Sequence, residues 1–320
     1  METGDDNFIF FGKDSQTVLE RIWHRKQNSK EMTAKSGKPI KLGLIIEGGG
    51  MRSITAAGIT VAFQKLKLND IFDAIYATSA GTITGAYFLS KQVPYGIAIY
   101  YEFLNTEKFI NLYRVPPFFN IDYLIDGLKY KKKLDTNALR MSKTVLHIGA
   151  TNIETGRHEF FTNHDDTVDI FDAIKASCAL PIFYNKQVVI NGARYLDGGA
   201  IVPFPLEKAL EDGCTDILIL FTRPRLRRHY QKMIPLWFEM WQLKKYGKNF
   251  IKAFYSRDKI YEKFLEIISG CDNLSSSVNI AVIAPKTQKL TLSTINPDRL
   301  KRAYLSSYNY GLKLFNQNKT

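Results

Sequence analysis

Apolar and polar positions follow one another along this chain in blocks that predict alternating strands and helices. Continuous apolar runs predict strands over residues 42–47, 74–78, 144–151, 216–222 and 278–284. Apolar residues at helical spacing predict helices over residues 53–67, 80–90 and 169–177. Strands that are apolar on both faces are typical of a buried parallel sheet. The pattern therefore predicts one large α/β domain.

A tight turn that carries a serine joins the second predicted strand to the helix after it. The turn reads Ala77-Thr78-Ser79-Ala80-Gly81, and its small residues allow strand and helix to pack closely. A serine in such a turn is pushed out of the backbone, where a substrate carbonyl can reach it. Ala77 occupies the position at which a nucleophile elbow usually has glycine. Ser79 is therefore a candidate nucleophile, and a turn without chemistry is the alternative.

A glycine run joins the first predicted strand to its helix, and it reads Glu47-Gly48-Gly49-Gly50-Met51-Arg52. Such a loop leaves backbone N–H groups uncovered at a helix N-terminus, so it can hold a phosphate or the oxyanion of an acyl intermediate. The Gly-Lys-Ser/Thr of a P-loop is missing. Asp70 and Asp73 precede the next strand, whereas a dinucleotide-binding fold has an acidic residue at the end of that strand. Acyl transfer is therefore favoured over nucleotide binding.

A serine nucleophile needs a general base, and the histidines of this chain are poor candidates for that role. His24 precedes the predicted core, and His147 lies in an apolar run typical of a strand. His158 and His164 flank a predicted hairpin and are expected to be exposed. The arginines around His229 would disfavour its protonation. A histidine-based triad is therefore not favoured.

Asp197 is a better candidate for the base. Asn191-Gly192 predicts a hairpin turn, and the short strand 194–196 after it places Asp197 at a strand end, where α/β proteins carry functional groups. A carboxylate within hydrogen-bonding distance of a serine hydroxyl can accept its proton directly. A plain turn residue is the alternative.

Three blocks together resemble the patatin-like phospholipase family, in its bacterial type. The blocks are Gly48 to Arg52, Ala77 to Gly81, and Asp197 to Gly199. They occur in the family's order, and the resemblance covers residues 41–285. The small-residue stretch 176–181, which ends in proline, adds to the likeness.

The resemblance implies a three-layer α/β/α fold and a lipid acyl hydrolase with a Ser–Asp dyad, no metal and no cofactor. It makes Ser79 the nucleophile, Asp197 the base and Arg52 a substrate-binding residue. The oxyanion hole would be formed by the backbone N–H groups of Gly48, Gly49, Gly50 and Ala80. Two positions depart from the family pattern. One is Ala77, and the other is Ser53, where the loop usually ends in glycine; we expect Ser53 to cap the next helix.

Positive charge is concentrated in one aromatic stretch of a chain whose net charge is +13. Residues 222–268 hold twelve Lys and Arg against four Asp and Glu, together with Trp237 and Trp241. Such a mixture has three interpretations. It can bind an anionic membrane surface or nucleic acid. It can also be a packed helical subdomain whose basic face is solvated. Because a phospholipid hydrolase works at an interface, we expect peripheral contact with an anionic membrane and no nucleic-acid partner.

The domain organisation expected from these features has three parts. Residues 1–40 form an N-terminal extension, residues 41–290 form the catalytic domain with 222–268 as a basic, aromatic helical insertion, and residues 291–320 form a C-terminal helix packed on the core. The basic stretch 129–133 belongs either to a cap over the site or to a solvated insertion. No secretory signal or membrane span is predicted. Three cysteines without metal spacing indicate a reducing compartment, so a cytoplasmic location is expected.

Three functions are compatible with these residues. A hydrolase would cleave fatty acyl esters of phospholipids or lysophospholipids. An acyltransferase would form the same acyl-enzyme and pass the acyl group to an alcohol. A non-catalytic module would bind a lipid or a partner on the same scaffold, but the presence of both Ser79 and Asp197 argues against it.

Overall fold

The computed structural model describes residues 7–27, 39–113, 116–224, 235–271, 278–287 and 289–316. The strands are β1 (Phe8–Phe11), β2 (Leu42–Ile46), β3 (Ala74–Thr78), β4 (Val145–Asn152), β5 (His158–Thr162), β6 (Val188–Ile190), β7 (Ala193–Asp197), β8 (Asp216–Leu220) and β9 (Asn279–Pro285). The helices are α1 (Ser15–Gln27), α2 (Ile54–Lys65), α3 (Ala80–Leu89), α4 (Val93–Ile97), α5 (Ile99–Glu102), α6 (Ile121–Asp126), α7 (Thr136–Arg140), α8 (Ile170–Cys178), α9 (Leu206–Glu211), α10 (Leu236–Leu243), α11 (Gly247–Ser269) and α12 (Pro297–Asn316). The eight elements predicted from apolar runs are all present, with ends that differ by at most two residues.

One sheet organises the part of the chain that the structure describes, in the strand order β1-β9-β8-β2-β3-β4-β7-β6, with β5 paired to β4. The five strands from β9 to β4 are parallel to one another. β1, β5, β6 and β7 add antiparallel pairs at the two ends. The carboxyl ends of β9, β8, β2 and β3 therefore meet along one edge of the sheet.

Helices cover both faces of this sheet. Leu44 and Ile46 of β2 pack into the larger apolar cluster, to which α2, α3, α8 and α12 contribute. Ile45 points to the opposite face, into a second cluster formed with α9 and α11. Because successive side chains of a strand alternate between faces, an apolar run such as Leu42–Ile46 serves both clusters. The expected three-layer α/β/α fold with a mainly parallel central sheet is confirmed.

The N-terminal residues add to this sheet. β1 pairs antiparallel with β9, where Phe8 lies opposite Pro285. Val18 and Ile22 of α1 are buried in the larger apolar cluster, and the Arg25 guanidinium lies 2.6 Å from the Asp73 carboxylate. Residues 8–27, which the sequence places in an extension, are thus an edge strand and a covering helix of the same core.

The C-terminal helix α12 packs closely against α2. A Cβ atom on Gly58 would lie 2.6 Å from the backbone oxygen of Tyr304, and one on Gly311 would lie 2.8 Å from the Cβ of Ala62. Glycine at both positions lets the two helix backbones approach. α12 therefore forms a fixed wall beside the N-terminal end of α2.

The basic, aromatic stretch is helical where the structure describes it, and its two helices differ in their packing. α11 buries Phe250, Phe264 and Ile267 against the sheet and its neighbours. α10 leaves Trp237 and Trp241 exposed over 72% and 61% of their surfaces. Four of the arginines and lysines counted from the sequence, and His229, lie in 225–234, outside the described residues. α11 is thus a structural layer, whereas α10 presents an aromatic face to solvent.

The segment between α3 and β4 packs against the core. Ile97, Tyr100 and Leu128 are fully buried or nearly so, and the Tyr100 hydroxyl donates to the backbone oxygen of Ala80 at 3.3 Å. The lysines of 129–133 are carried on a π-helical turn, Gly127–Lys131, and the residues after it. This segment is therefore a packed insertion that touches the start of α3.

No helix in the described ranges is both long and apolar enough to cross a bilayer.

Candidate active site

Ser79 occupies a strained turn between β3 and α3. Its backbone has φ 52° and ψ −137°, although it is not a glycine, and its side chain is almost buried, with 8% of the residue exposed. Left-handed backbone at a non-glycine residue costs on the order of 1–3 kcal/mol and persists only where the surroundings impose it. A Cβ on Gly81 would lie 2.5 Å from the backbone oxygen of Ile46. The close approach of α3 to β2 is therefore possible only with glycine there, and it holds the turn tight.

Ala77 is compatible with this elbow. It is a regular strand residue, opposite Ile46 of β2 and Ile148 of β4, and it does not adopt positive φ. The positive φ that would favour glycine occurs at Ser79 instead. The departure from the family pattern at Ala77 leaves the geometry of the serine turn intact.

Asp197 lies at the end of β7, beside Ser79, and is fully buried. Its Oδ1 accepts a hydrogen bond from the backbone N–H of Ala200 at 3.0 Å. The backbone of Gly199 lies between the two side chains: a Cβ there would be 3.2 Å from Oδ1 of Asp197 and 3.7 Å from the Cβ of Ser79. The structure thus brings together the two residues that the sequence singled out.

The environment of Asp197 raises its pKa to about 7. Burial is the main cause, since it disfavours the charged carboxylate, while the Ser79 hydroxyl and the backbone N–H groups of Ala200 and Gly199 oppose the shift. Oδ2 has no hydrogen-bond donor at ordinary distance among the described residues. That oxygen is therefore open to accept a proton near neutral pH.

Ser177, in the small-residue stretch at the end of α8, connects these parts. Its hydroxyl accepts a hydrogen bond from the backbone N–H of Ser79 at 2.9 Å and donates one to the backbone oxygen of Gly149 at 2.6 Å. Two residues later, the backbone oxygen of Ala179 accepts from the N–H of Asp197 at 3.0 Å. The stretch thus holds the serine turn and the aspartate strand in register. The sequence marked the stretch by its composition, but not this role.

The glycine loop abuts the serine turn. A Cβ on Gly48 would lie 2.7 Å from the Cβ of Ser79 and from the backbone oxygen of Thr78, so only glycine fits. Gly50 has φ 54°, and its backbone packs against Leu292. The N–H groups of Gly48 and Gly49 donate to no acceptor in the described part of the chain. Unused N–H groups beside a nucleophile are suited to an oxyanion.

A buried carboxylate anchors the start of this loop, and the sequence did not single it out. Glu47 is 2% exposed, and its Oε2 accepts from the backbone N–H of Thr222 at 2.7 Å. Its Oε1 lies 2.7 Å from Nε of Arg223. The Thr222 hydroxyl is also 2.9 Å from the backbone oxygen of Gly48. The end of β8 therefore fixes the loop that follows β2.

Arg52 and Ser53 are the last two residues of the loop before α2. Arg52 extends from the glycine loop, with Nε 3.3 Å from the position of a Cβ on Gly49. Ser53 precedes α2, but its side chain makes no capping hydrogen bond, so the expected cap is wrong. Its backbone is already helical, with φ −61° and ψ −13°, whereas a residue whose side chain caps a helix has non-helical backbone.

The histidines do not supply a base in the described residues. His158 was expected to be exposed, and this is wrong: its Nε2 is buried without a hydrogen-bond partner, and burial lowers the pKa of the ring to about 3. The ring packs on Gly149 and Gly198, because β5 pairs with β4 beside the aspartate strand. His147 lies in β4 and stacks on Tyr76 with ring centroids 4.6 Å apart.

The sequence also matches the model of a protein family. The model is described as patatin-like phospholipase, and it matches residues 44–210, just over half of the chain. The chain belongs to the patatin-like phospholipase family. The matched residues include the glycine loop, the serine turn and Asp197, so the family domain carries all the candidate site residues described above.

Two other proteins are similar to this member of the patatin-like phospholipase family. YjjU of Escherichia coli K12, described as an uncharacterized protein, is 25% identical over 219 residues, which are 66% of this chain and 59% of YjjU. The match therefore spans less than two thirds of the length of YjjU. The crystal structure of VipD from Legionella pneumophila aligns over 90% of this chain and 70% of VipD, with a TM-score of 0.49 and 13% identity.

Proposed function

We propose that this protein is a serine acyl hydrolase that cleaves fatty acyl esters of phospholipids or lysophospholipids through a Ser79–Asp197 dyad. The observation that carries the proposal is the meeting of a serine in a strained, left-handed turn with a buried carboxyl whose pKa is about 7. Membership of the patatin-like phospholipase family supports a lipid ester as the substrate.

The proposed reaction has two stages. The Asp197 carboxylate takes the proton of the Ser79 hydroxyl as its oxygen attacks the ester carbonyl. The backbone N–H groups of Gly48, Gly49, Gly50 and Ala80 stabilise the oxyanion of the tetrahedral intermediate. Asp197 returns the proton to the leaving alcohol, and the acyl group stays on Ser79. Asp197 then takes a proton from the water that attacks the acyl-enzyme, and returns it to the Ser79 oxygen as the fatty acid leaves, which restores the starting dyad.

The substrate class can be tested by product analysis. Purified protein is incubated with a panel of phospholipids and lysophospholipids that differ in head group and in acyl position. The proposal predicts free fatty acid from at least one of them and none from the Ser79→Ala variant. Transfer of the acyl group to added glycerol, in place of fatty acid release, would instead identify an acyltransferase. Equal fatty acid release by the variant would contradict the proposal.

Access to a lipid substrate is proposed to come through α10. Leu236, Trp237, Met240 and Trp241 are each 46–72% exposed and lie on neighbouring turns of this helix. The exposed lysines Lys244, Lys245 and Lys248 follow directly. Tryptophan and leucine beside lysines favour the interface of an anionic bilayer, where the rings enter the headgroup region and the ammonium groups meet lipid phosphates. The surface proposed to contact the membrane is thus the α10 face rather than the whole of residues 222–268.

Cosedimentation with vesicles tests this surface. The Trp237→Ala/Trp241→Ala variant should bind phosphatidylglycerol-containing vesicles about tenfold more weakly than the wild type, because two large apolar side chains no longer leave water. The control variant Tyr113→Ala/Tyr130→Ala removes two other exposed aromatic residues and should bind like the wild type. Binding that is indifferent to anionic lipid content and to salt, or equal in both variants, would exclude the α10 surface.

A further inference from the structure

A cavity lies on the same edge of the sheet as Ser79. It is open to solvent and has a volume of about 490 Å³, between the ends of β8 and β9 and the first turns of α12. Thr222 and Thr55 form its side towards the glycine loop. Thr222 follows β8, which is separated from β3 by β2 alone. The cavity is therefore roughly 10 Å, or two strand spacings, from the serine turn.

The charged residues that line this cavity are all positive. Lys289, Arg299 and Arg302 line it, and no Asp or Glu does. None of the three has a carboxylate within 4.0 Å in the described residues. Lys289 donates through Nζ to Oδ1 of Asn7 at 2.6 Å, and Arg299 donates to the backbone oxygen of Lys289. Among the described residues no carboxylate compensates these three positive charges, so the cavity concentrates a positive potential.

Neutral hydrogen-bonding groups complete the lining. Asn7, Thr55, Thr222 and Ser306 line the cavity together with the cations. Thr55 lies in the first turn of α2, whose twelve-residue length gives its N-terminus a partial positive charge. The wall formed by α12 is held in place by its close packing on α2. A cavity with fixed walls, several cations and polar neighbours suits a compact anion with several acceptor oxygens.

We propose that this cavity is a binding site for a phosphate-bearing ligand, either a lipid headgroup or a soluble phosphate ester. The site is separate from the catalytic chemistry, since Ser79 and Asp197 do not line it. It is coupled to the catalytic region through Thr222, whose hydroxyl lies 2.9 Å from the backbone oxygen of Gly48. A ligand that contacts Thr222 therefore touches a residue that holds the glycine loop through Gly48.

Binding can be measured without catalysis on the Ser79→Ala protein, so that failure of the proposed hydrolase would not affect the result. The test variant is Lys289→Gln/Arg302→Gln, which keeps Arg299 because that residue holds the backbone of the 289 loop. The matched control is Lys143→Gln/Arg157→Gln, which removes one lysine and one arginine exposed elsewhere. Melting temperatures of both variants check that the fold is kept.

Two arms distinguish the sources of the phosphate. Calorimetric titration with sn-glycerol 3-phosphate and with inorganic phosphate tests a soluble ligand. Cosedimentation with phosphatidylcholine vesicles, with and without phosphatidylglycerol, tests a headgroup. In at least one arm the test variant should bind about tenfold or more weakly than the control, since two charge-assisted contacts are lost. Equal binding by test and control variants in both arms, or no binding to any of these probes, would overturn the proposal.

Discussion

The hydroxyl of Ser177 accepts a hydrogen bond from the backbone N–H of Ser79 at 2.9 Å. The same hydroxyl donates to Gly149 in β4, so a single buried side chain connects α8, the serine turn and the neighbouring strand. The strained backbone of Ser79 is thereby held from outside the turn. This contact makes Ser177 a positioning residue for the proposed nucleophile.

Removal of that hydroxyl should reduce turnover more than substrate binding. In Ser177→Ala, we expect kcat to fall by about 100-fold with KM nearly unchanged, because a small displacement of a nucleophile is costly to the reaction rate. Steady-state kinetics on a soluble ester checks this. Ser90→Ala is the control, since Ser90 is also buried but, among the described residues, its hydroxyl donates only to backbone oxygens of α3. If both variants lose the same activity in proportion to their loss of stability, Ser177 has only a structural role.

Gly48 should not tolerate a side chain. In Gly48→Ala the new methyl group would lie 2.7 Å from the Cβ of Ser79, so the loop and the serine turn must separate. We expect kcat to fall by roughly 10²–10³-fold, the loss typical of a displaced oxyanion donor.

A matched glycine separates this effect from a general loss of stability. Gly213→Ala meets no atom within 4 Å but has φ 79°, so it should cost only about 1 kcal/mol of unfolding free energy and keep its activity. Kinetics and chemical denaturation of the two variants give both quantities. Full activity in Gly48→Ala would mean that the glycine loop does not contact the reacting group.

The pH dependence of activity should report the carboxyl of Asp197. A base with a pKa of about 7 is protonated and inactive below that value. We therefore expect log kcat/KM on a neutral, soluble ester to rise with unit slope up to about pH 7 and to level off above it. A profile that is flat between pH 5 and 8, with the protein folded throughout, would exclude Asp197 as the base.

The raised pKa of Asp197 should also make the folded state less stable at neutral than at acidic pH. Its pKa is raised from 3.8 in the unfolded chain to about 7 in the fold. The folded state therefore binds the proton more tightly, and the resulting stability is fully present below pH 4 and is lost as the pH rises through 7. Relative to Asp197→Asn, the wild type should lose up to about 4 kcal/mol of unfolding free energy across this range. Urea denaturation of both proteins at pH 4, 6 and 8 measures it, and a constant difference would show that the pKa is not raised.

The local pattern of the chain predicts the sheet well. The strand over Leu42–Ile46 is buried on both faces, and its continuous apolar run is visible in the sequence without any knowledge of its partners. The glycine run and the serine turn are likewise local signals at strand ends. These features are predictable because each depends on residues that are close together in the chain.

Other features depend on contacts between distant residues. β1 has only four residues, and its place in the sheet is set by β9, which lies far along the chain. Glu47 is held by Thr222, 175 positions away. The Nε2 atom of His158 is buried because β5 pairs with β4 beside Gly198. Neither the charge of Glu47 nor the hairpin around His158 indicates these contacts in the sequence, so the anchor of the glycine loop could not be predicted.

Covalent labelling of Ser79 tests the proposed Ser79–Asp197 dyad directly. A fluorophosphonate probe reacts with an activated serine, and intact mass followed by peptide mapping locates the adduct. With Ser79 as the nucleophile we expect one adduct, on Ser79, in the wild type, slower labelling in Asp197→Asn, and neither adduct nor esterase activity in Ser79→Ala. An adduct on another residue together with full activity in Ser79→Ala would contradict the proposed dyad.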